Sequence, residues 1–136
     1  MNYRVIVSAI IKKDNQILLG RKAPGRGPFP DTWHIPGGGV DLDKETCDQA
    51  IVREITEETG LKIKNLEKVF WDTGIEPNKH NEPTNYVFLV YTCENESGQL
   101  TTNDDLEKLE WVSIDNLKDY PISIYTRSLF KKLKYL

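Results

Sequence analysis

Three glutamates, Glu54, Glu57 and Glu58, lie close together in a segment whose composition predicts a helix. At about 100° per residue, their side chains share one helical face within little more than a turn. Like charges at this spacing repel each other, and the macrodipole disfavours acids in the C-terminal half of a helix. A hard divalent cation removes this cost, because Mg²⁺ binds carboxylate oxygens and keeps other positions for water and phosphate oxygens. The cluster therefore predicts a cation site; the alternative is a solvated acidic face.

Three consecutive glycines stand before the predicted helix. Gly37, Gly38 and Gly39 follow a short strand-like step at residues 33–35 that ends at Pro36. Glycine has no Cβ, so the backbone can approach a ligand there without obstruction by a side chain. We expect a carbonyl group of this turn to face the same cation as the glutamates.

Arg53 directly precedes the first of the clustered glutamates. Adjacent residues on a helix do not face each other, so the Arg53 side chain is expected to point away from Glu54. A guanidinium group can bind a carboxylate through two parallel hydrogen bonds. We expect Arg53 to pair with Glu45 and to orient it.

The spacing of these residues resembles the Nudix box, the signature of a family of hydrolases. All nine specified positions match: Gly39-x5-Glu45-x7-Arg53-Glu54-Ile55-x-Glu57-Glu58-x-Gly60-Leu61. Residues 33–38 and 109–114 are also similar to family sequences, so the resemblance extends over most of the chain. Between Pro36 and Glu45 there is one residue more than in the commonest form of the family. Either Gly38 or Gly39 therefore supplies the carbonyl that faces the metal.

The resemblance implies an α/β fold, the Nudix-type α/β/α sandwich with a mixed β-sheet, as a single domain over residues 1–136. It also implies a hydrolase that cleaves a phosphoric anhydride bond of a nucleotide with the help of Mg²⁺, or of Mn²⁺. The implied catalytic set is Glu45, Arg53, Glu54, Glu57 and Glu58, and the implied metal ligands are Gly39, Glu54, Glu57 and Glu58.

The acid that takes a proton from the attacking water differs between members of this family. It is either one of the box glutamates or an acid from outside the box. The outside candidates lie shortly before Trp111 and are Asp105, Glu107 and Glu110.

Basic and aromatic residues are candidates for substrate binding. Arg21, Lys22 and Arg26 could contact phosphate or serve only as surface charge, and we favour Arg21 for the contact. Strand aromatics more often pack in the core than stack on a base. The aromatic candidates are Phe29, Trp33, Trp71, Tyr86 and Phe88. The predicted substrate-binding set is Arg21, Trp33 and Gly38.

Pro77 lies about 16 positions beyond the box. A proline at this position resembles the pattern of the ADP-ribose hydrolases of the family. We therefore favour a pyrophosphohydrolase acting on a nucleoside diphosphate linked to another moiety, with ADP-ribose-like substrates first. The alternative is a house-cleaning enzyme that releases pyrophosphate from nucleoside triphosphates, including oxidised ones. Two hypotheses involve no catalysis: a nucleotide sensor, which the full acid set disfavours, and a cation-binding interaction module, which leaves the glycine turn unexplained.

Strands must position the glycine turn within a sheet. They are predicted at residues 3–12 and 16–21, which form a hairpin, and at 61–72, 85–93 and 108–114. Proline and glycine at residues 23–31 predict a long loop, and turns are predicted at 76–84 and 94–105.

Helices are predicted before and after those later strands. The first covers residues 44–59, with Asp43 as a possible N-cap and Gly60 just past its end. The second spans residues 122–136. It is expected to pack on the sheet through apolar side chains that recur at helical spacing, which are Ile122, Tyr125, Leu129 and Leu133.

The composition limits the class of protein. A chain of 136 residues, 29% of them charged, fits one domain and has no apolar run long enough to span a membrane. A net charge of −3 disfavours binding to duplex nucleic acid. Cys47 and Cys93 lack the spacing of metal ligands, and neither His34 nor His80 has a partner at such spacing. We expect a cytoplasmic protein, a monomer or a homodimer, that binds a small-molecule nucleotide.

Overall fold

The computed structural model describes residues 2–22, 24, 31–102 and 106–136. Within them the chain forms seven β-strands, two α-helices and one 3₁₀ helix. The strands are β1 (Asn2–Lys13), β2 (Gln16–Lys22), β3 (Trp33–His34), β4 (Gly37–Gly39), β5 (Leu61–Pro77), β6 (Pro83–Gly98) and β7 (Leu106–Ser113). The helices are α1 (Cys47–Thr59), the 3₁₀ helix (Ile114–Asp119) and α2 (Ile124–Lys132). In this part of the chain no helix is long and apolar enough to cross a membrane.

The strands form one mixed sheet. Five of them follow the order β3-β2-β1-β6-β5, while β4 pairs with β1 and β7 pairs with β2. The β1 and β6 strands are parallel, and the other pairs are antiparallel. The glycine turn belongs to this sheet, because Gly38 pairs with Val7 in the central strand β1. Pairing with the buried residue Val7 of β1 thus fixes the position of the glycines.

Helices cover both faces of the sheet. Side chains alternate between the two faces of each strand, and each face has its own cluster of buried apolar side chains. One core cluster joins α1 to the sheet and includes Ala50, Ile51 and Ile55, all fully buried. A second cluster joins α2 and the 3₁₀ helix to the opposite face and includes Leu117 and Phe130. The predicted α/β/α sandwich with a mixed sheet is confirmed.

The first helix begins later than the sequence predicts. Its N-cap is Thr46, whose hydroxyl accepts a hydrogen bond from the Gln49 backbone N–H at 3.1 Å, while the Gln49 side-chain Oε1 accepts one from the Thr46 backbone N–H at 2.9 Å. The prediction of Asp43 as N-cap is wrong because this reciprocal capping box satisfies two free backbone donors at once. The predicted end is confirmed: Gly60 has a left-handed φ of 78°, which glycine adopts without steric cost.

The two longest strands extend beyond their predicted ends. The β5 and β6 strands pair continuously up to Pro77 opposite Pro83, so only a short turn separates them. Their polar ends have the composition of turns, but the cross-strand pairing keeps them extended. The predicted turns at 76–84 and 94–105 are therefore too long.

The C-terminal helix is shorter than predicted, and one residue of its predicted apolar stripe lies outside the core. Ile122, which lies before α2 and bridges to Trp33, and Leu129 are buried, and Leu133 packs partly buried against the same cluster, as predicted. Tyr125 is 58% exposed, and Phe130 is buried as well. The prediction that Tyr125 packs in the core is wrong, because the helix starts after Ser123 and turns Tyr125 outward.

Candidate active site

Arg53 is the centre of the acidic cluster. Its guanidinium group donates to both oxygens of Glu45, from Nε at 2.9 Å and from Nη2 at 2.6 Å, as the sequence predicts. Its Nη1 also donates to Glu54 at 3.0 Å and to Glu57 at 3.1 Å. The prediction that Arg53 points away from Glu54 is wrong, because the long side chain folds back over the helix surface to reach both glutamates.

The predicted repulsion between the glutamates is thus compensated inside the chain. Hydrogen bonds from Arg53 and then from the Asp41 backbone N–H lower the pKa of Glu45 to about 2. The hydrogen bond with Glu45 in turn raises the pKa of Arg53 above its ordinary value. Arg53 therefore stays charged and holds the carboxylates around it in a fixed arrangement.

The glycine turn lies directly against two glutamates of α1. The Gly37 backbone N–H donates to Glu58 Oε2 at 3.2 Å. A Cβ placed on Gly38 would lie 2.3 Å from Glu54 Oε2, so only glycine leaves room for that carboxylate. The Gly39 carbonyl, in contrast, accepts a hydrogen bond from Arg53 Nη2 at 3.1 Å. Of the two glycines predicted to supply a ligand, Gly38 is the one beside a glutamate carboxylate.

The residues fit a hard divalent cation by their chemistry. No three acidic, histidine or cysteine side chains in the described part of the chain converge as a finished ligand set. The reason is visible in the contacts, since Arg53 holds Glu54 and Glu57 while Glu58 binds the Gly37 N–H. However, Glu54 and Glu58 approach one glycine turn that has no side chains, which gives oxygen donors and space, as a Mg²⁺-type ion requires.

A cavity of about 360 Å³ opens beside this turn. One wall, which we call the acidic wall, consists of Gly37, Gly38 and Glu58. The other, which we call the histidine wall, is lined by Lys22, Thr32, His34, Ser123, Tyr125 and Thr126. The Tyr125 hydroxyl hydrogen-bonds to Glu76, which ties α2 to β5 beside the cavity. Glu58 thus borders a partly open cavity of the size that binds small molecules.

Known proteins with this arrangement identify the family. The NUDIX domain model matches residues 2–133. The chain belongs to the Nudix family. It is therefore a hydrolase that acts on phosphoric anhydride bonds, and Nudix hydrolases generally use a divalent metal.

Similar Nudix proteins cover almost the whole chain. "Nucleoside triphosphatase NudI" of Klebsiella pneumoniae is 32% identical over 133 residues, which are 93% of this chain and 94% of that protein. The protein of the same name from Escherichia coli is 29% identical over 137 residues, 96% of each chain. Among solved structures, a MutT NUDIX hydrolase from Burkholderia pseudomallei is 30% identical with a TM-score of 0.79, covering 96% of this chain and 98% of its own.

The basic residue that faces the Nudix cavity is Lys22, whereas the sequence favours Arg21. Arg21 forms an ion pair with Asp31 at 2.7 Å and is not among the residues that line the cavity. A β-bulge between Arg21 and Lys22 interrupts the regular alternation of side chains here, and Arg21 is paired with Asp31 instead of lining the cavity. Arg26 lies outside the described residues.

The aromatic candidates do not gather at the site. Trp33 is 7% exposed and packs edge-on against Tyr120 with ring centroids 5.6 Å apart, so its predicted role in substrate binding is not supported. Tyr86 and Phe88 stack on each other, and Trp71 is 70% exposed on β5. None of these residues lines the cavity, and Phe29 lies outside the described residues.

Two of the acids proposed from outside the box, Glu107 and Glu110, are not among the residues that line the cavity. Glu110 is hydrogen-bonded to Tyr120, and burial followed by this bond raises the pKa of Tyr120. Glu107 is exposed on β7. Asp105 lies outside the described residues. The box glutamates are the acids that contact the glycine turn.

Sequence reasoning missed most of the histidine wall. The sequence offers no partner at metal-ligand spacing for His34, and the helical spacing at the C-terminus predicts a core position for Tyr125. Ser123 and Thr126 reach the cavity because Ile122 pairs with Trp33, which places the start of α2 beside β3. No local pattern signals this contact, since the two segments are far apart in the chain.

Proposed function

We propose that this chain is a Mg²⁺-dependent pyrophosphohydrolase that cleaves nucleoside triphosphates to a nucleoside monophosphate and pyrophosphate. The relatives that cover nearly the whole chain are named nucleoside triphosphatases, which favours this alternative over the ADP-ribose-like substrate predicted from Pro77. Pro77 has a structural explanation here, because it ends β5 opposite Pro83 at the β5–β6 turn. A proline at a strand end carries no information about the substrate.

The observation that carries the proposal is the shared wall between the acidic cluster and the cavity. Glu58, Gly37 and Gly38 belong to both. A nucleotide bound with its phosphates on the acidic wall can therefore place its nucleoside against the histidine wall. The Lys22 ammonium group on that wall supplies positive charge for an anionic substrate.

Glu54, Glu57 and Glu58, with the Gly38 carbonyl, are the groups that would hold Mg²⁺, and Mn²⁺ is the second choice. The chemistry that the metal supplies when bound is neutralisation of phosphate charge and a lowered pKa of water. Arg53 keeps the glutamates in place through its contacts with Glu45, Glu54 and Glu57. In this proposal Arg53 and Glu45 are positioning residues.

The proton of the attacking water goes to a box glutamate. Glu58 is the one that lines the cavity, so it is the nearest acid to a phosphate bound there. The water oxygen bonds to the α-phosphorus, and the anhydride bond between the α- and β-phosphates breaks. The pyrophosphate leaves as an anion, and the base releases its proton to solvent.

Product analysis tests this function. The four deoxynucleoside triphosphates and ADP-ribose are incubated with the full chain and Mg²⁺, and the products are separated by ion-exchange chromatography. We expect monophosphate and pyrophosphate from a triphosphate, loss of activity with chelator, and recovery when Mg²⁺ is added back. Diphosphate with inorganic phosphate, a preference for ADP-ribose, or turnover after exhaustive chelation would contradict the proposal.

A further inference from the structure

His34 presents a hydrogen-bond acceptor that no residue in the described part of the chain uses. Its side chain lines the cavity from β3, next to Lys22. The Nδ1 atom lies 3.0 Å from the Ile35 carbonyl oxygen. Because a carbonyl only accepts, Nδ1 must carry the hydrogen in this contact. The Nε2 atom is shielded from solvent and has no hydrogen-bond partner.

The charge state of His34 follows from its surroundings. Burial lowers the pKa of His34; the hydrogen bond to the Ile35 carbonyl opposes this with a smaller effect, and the nearby Lys22 charge adds the smallest effect, which again lowers the pKa. The ring is therefore neutral at pH 7, with its hydrogen on Nδ1. In that tautomer Nε2 has a free lone pair and can only accept a hydrogen bond. A buried acceptor without a donor is costly, so a ligand that brings a donor gains affinity.

The position of His34 suits the base of a nucleotide. His34 stands three residues before Gly37, which limits the distance between their Cα atoms to about 10 Å. A nucleotide with its phosphates at the glycine turn can thus bring its base to the His34 ring, and a small movement of the ring must uncover the shielded Nε2 atom to that base. Ile6 and Ile35 also line the cavity and offer apolar surface to the flat faces of a base.

We propose that His34 is a specificity-determining residue whose Nε2 accepts a hydrogen bond from an N–H group of the nucleobase. The substrate class is then nucleotides whose base turns an amino or imino N–H toward β3. This inference rests on the proposed function, and it adds a residue for base selection to a site otherwise defined by its phosphate chemistry.

Methylated nucleotides test the hydrogen bond directly. The kcat/KM of the full chain is measured with Mg²⁺ for dATP, dCTP and dTTP and for each counterpart in which the base N–H is fully methylated. The same pairs are measured with His34→Leu, which removes the acceptor, and His34→Gln, which keeps one. The matched control is His80→Leu, since His80 is the other histidine of the chain and lies exposed in the β5–β6 turn.

We expect the wild type to favour the unmethylated form of its preferred nucleotide by about tenfold, mainly through KM. His34→Leu should lose most of this preference by losing activity on the unmethylated form alone. His34→Gln should retain a large part of it, and His80→Leu should match the wild type. If His34→Leu keeps the preference, base recognition by His34 is overturned.

A binding experiment on the wild type covers the case in which the variants do not fold. The imidazole nitrogen resonances of His34 are followed by NMR while the preferred monophosphate is added in the presence of chelator. We expect the Nε2 resonance to move toward the position of a hydrogen-bonded acceptor, and an unchanged resonance at saturation would contradict the inference.

If no triphosphate is hydrolysed to pyrophosphate, the proposed function fails; if hydrolysis occurs without discrimination at the base N–H, only the inference fails.

Discussion

The two walls of the cavity are built in different ways. The acidic wall comes from one short stretch of the chain, the glycine turn and the helix that follows it. The histidine wall combines side chains from β2, β3 and α2, including Lys22, His34 and Tyr125. The chemical step thus depends on a local motif with fixed spacing, whereas recognition depends on tertiary contacts between distant segments. One fold can therefore keep its chemistry while its substrate changes.

The walls also differ in how their polar groups are satisfied. On the acidic side, Arg53 and the Gly37 N–H bind the carboxylates in advance. On the other wall, His34 Nε2 has no partner. The acidic wall is preorganised for reaction, and the histidine wall keeps a polar group for the ligand. Changes on the first wall should therefore affect kcat, and changes on the second should affect KM.

The largest effect is expected from the box glutamates. Glu54→Gln and Glu58→Gln keep the shape of each side chain but remove the charge needed at the reacting phosphates. We expect each change to lower kcat by about 10²-fold or more at saturating Mg²⁺, with the fold retained. Steady-state kinetics with a thermal melt of each variant checks this. Near-normal kcat for both would show that α1 is not the platform for the chemistry.

The glycine turn offers a second test of the acidic wall. In Gly38→Ala the new methyl group meets the Glu54 carboxylate, which can move aside because it ends a flexible side chain. We expect the fold to survive and kcat to fall by about 10- to 100-fold, since small displacements of a catalytic group are costly. The measurement is kcat beside the melting temperature.

The neighbouring glycines serve as controls with different outcomes. A Cβ on Gly37 would lie 2.1 Å from the Val7 carbonyl oxygen, so Gly37→Ala should destabilise the fold. On Gly39 it would lie 2.3 Å from Arg4 Nη2, the end of an exposed and flexible side chain that can move aside, so Gly39→Ala should be tolerated. If Gly39→Ala proves as damaging to kcat as Gly38→Ala, the assignment of Gly38 to the metal side is wrong.

The sequence predicts the acidic wall well for physical reasons. Helical spacing places Glu54 and Glu58 together whatever surrounds them, and the capping signal of Gly60 depends only on its own backbone. The face on which a strand residue lies is harder to predict, because a shift of one position exchanges the two faces. At the end of β2 a β-bulge between Arg21 and Lys22 interrupts the alternation, so the sequence alone does not show that Lys22 is the residue that lines the cavity.

The histidine wall was beyond prediction for a different reason. The apolar spacing at the C-terminus identifies a helix but does not fix where the helix begins. A start after Ser123 moves Tyr125 from the core to the cavity. The bridge between Ile122 and Trp33 that sets this position is a tertiary contact, which no local pattern contains.

Glu45→Gln tests whether Arg53 must be anchored for the acidic wall to work. We expect kcat to fall by about tenfold, as when a group that orients a metal ligand is removed. Stability should also change with pH. The folded pKa of Glu45 is about 2 against an ordinary 4.5, so its ion pair stabilises the fold above pH 4.5 and loses this effect as the pH falls toward 2.

Thermal melts of wild type and Glu45→Gln across this range provide the measurement. The variant should melt lower at pH 7, and the gap should narrow below pH 4.5 and close near pH 2. A gap that stays constant across the range would mean that the Glu45 charge does not stabilise the fold.

Tyr125→Phe should act on the other wall. The change removes the hydrogen bond to Glu76 that ties α2 to β5 but leaves the ring in place. We expect KM to rise by about threefold with kcat unchanged, the size of one modest hydrogen bond. Glu76→Gln should weaken the same contact, and the double variant should be no worse than Tyr125→Phe. A fall in kcat instead would contradict the expectation that the histidine wall affects substrate binding and not the chemical step.

The smallest effect is expected from Glu110→Gln. Glu110 pairs with Leu19 across β2 and β7, and Leu19 packs in the core cluster of α2, on the sheet face opposite α1. Its carboxylate is hydrogen-bonded to Tyr120. If Glu110 were the general base, its loss would cost about 10²-fold or more in kcat, whereas we expect a change within about twofold. The pH profile of kcat should likewise keep its acidic limb, because that limb reports a box glutamate. A large loss with an unchanged melting temperature would place the base outside the box and would require this part of the sheet to approach the acidic wall during the reaction.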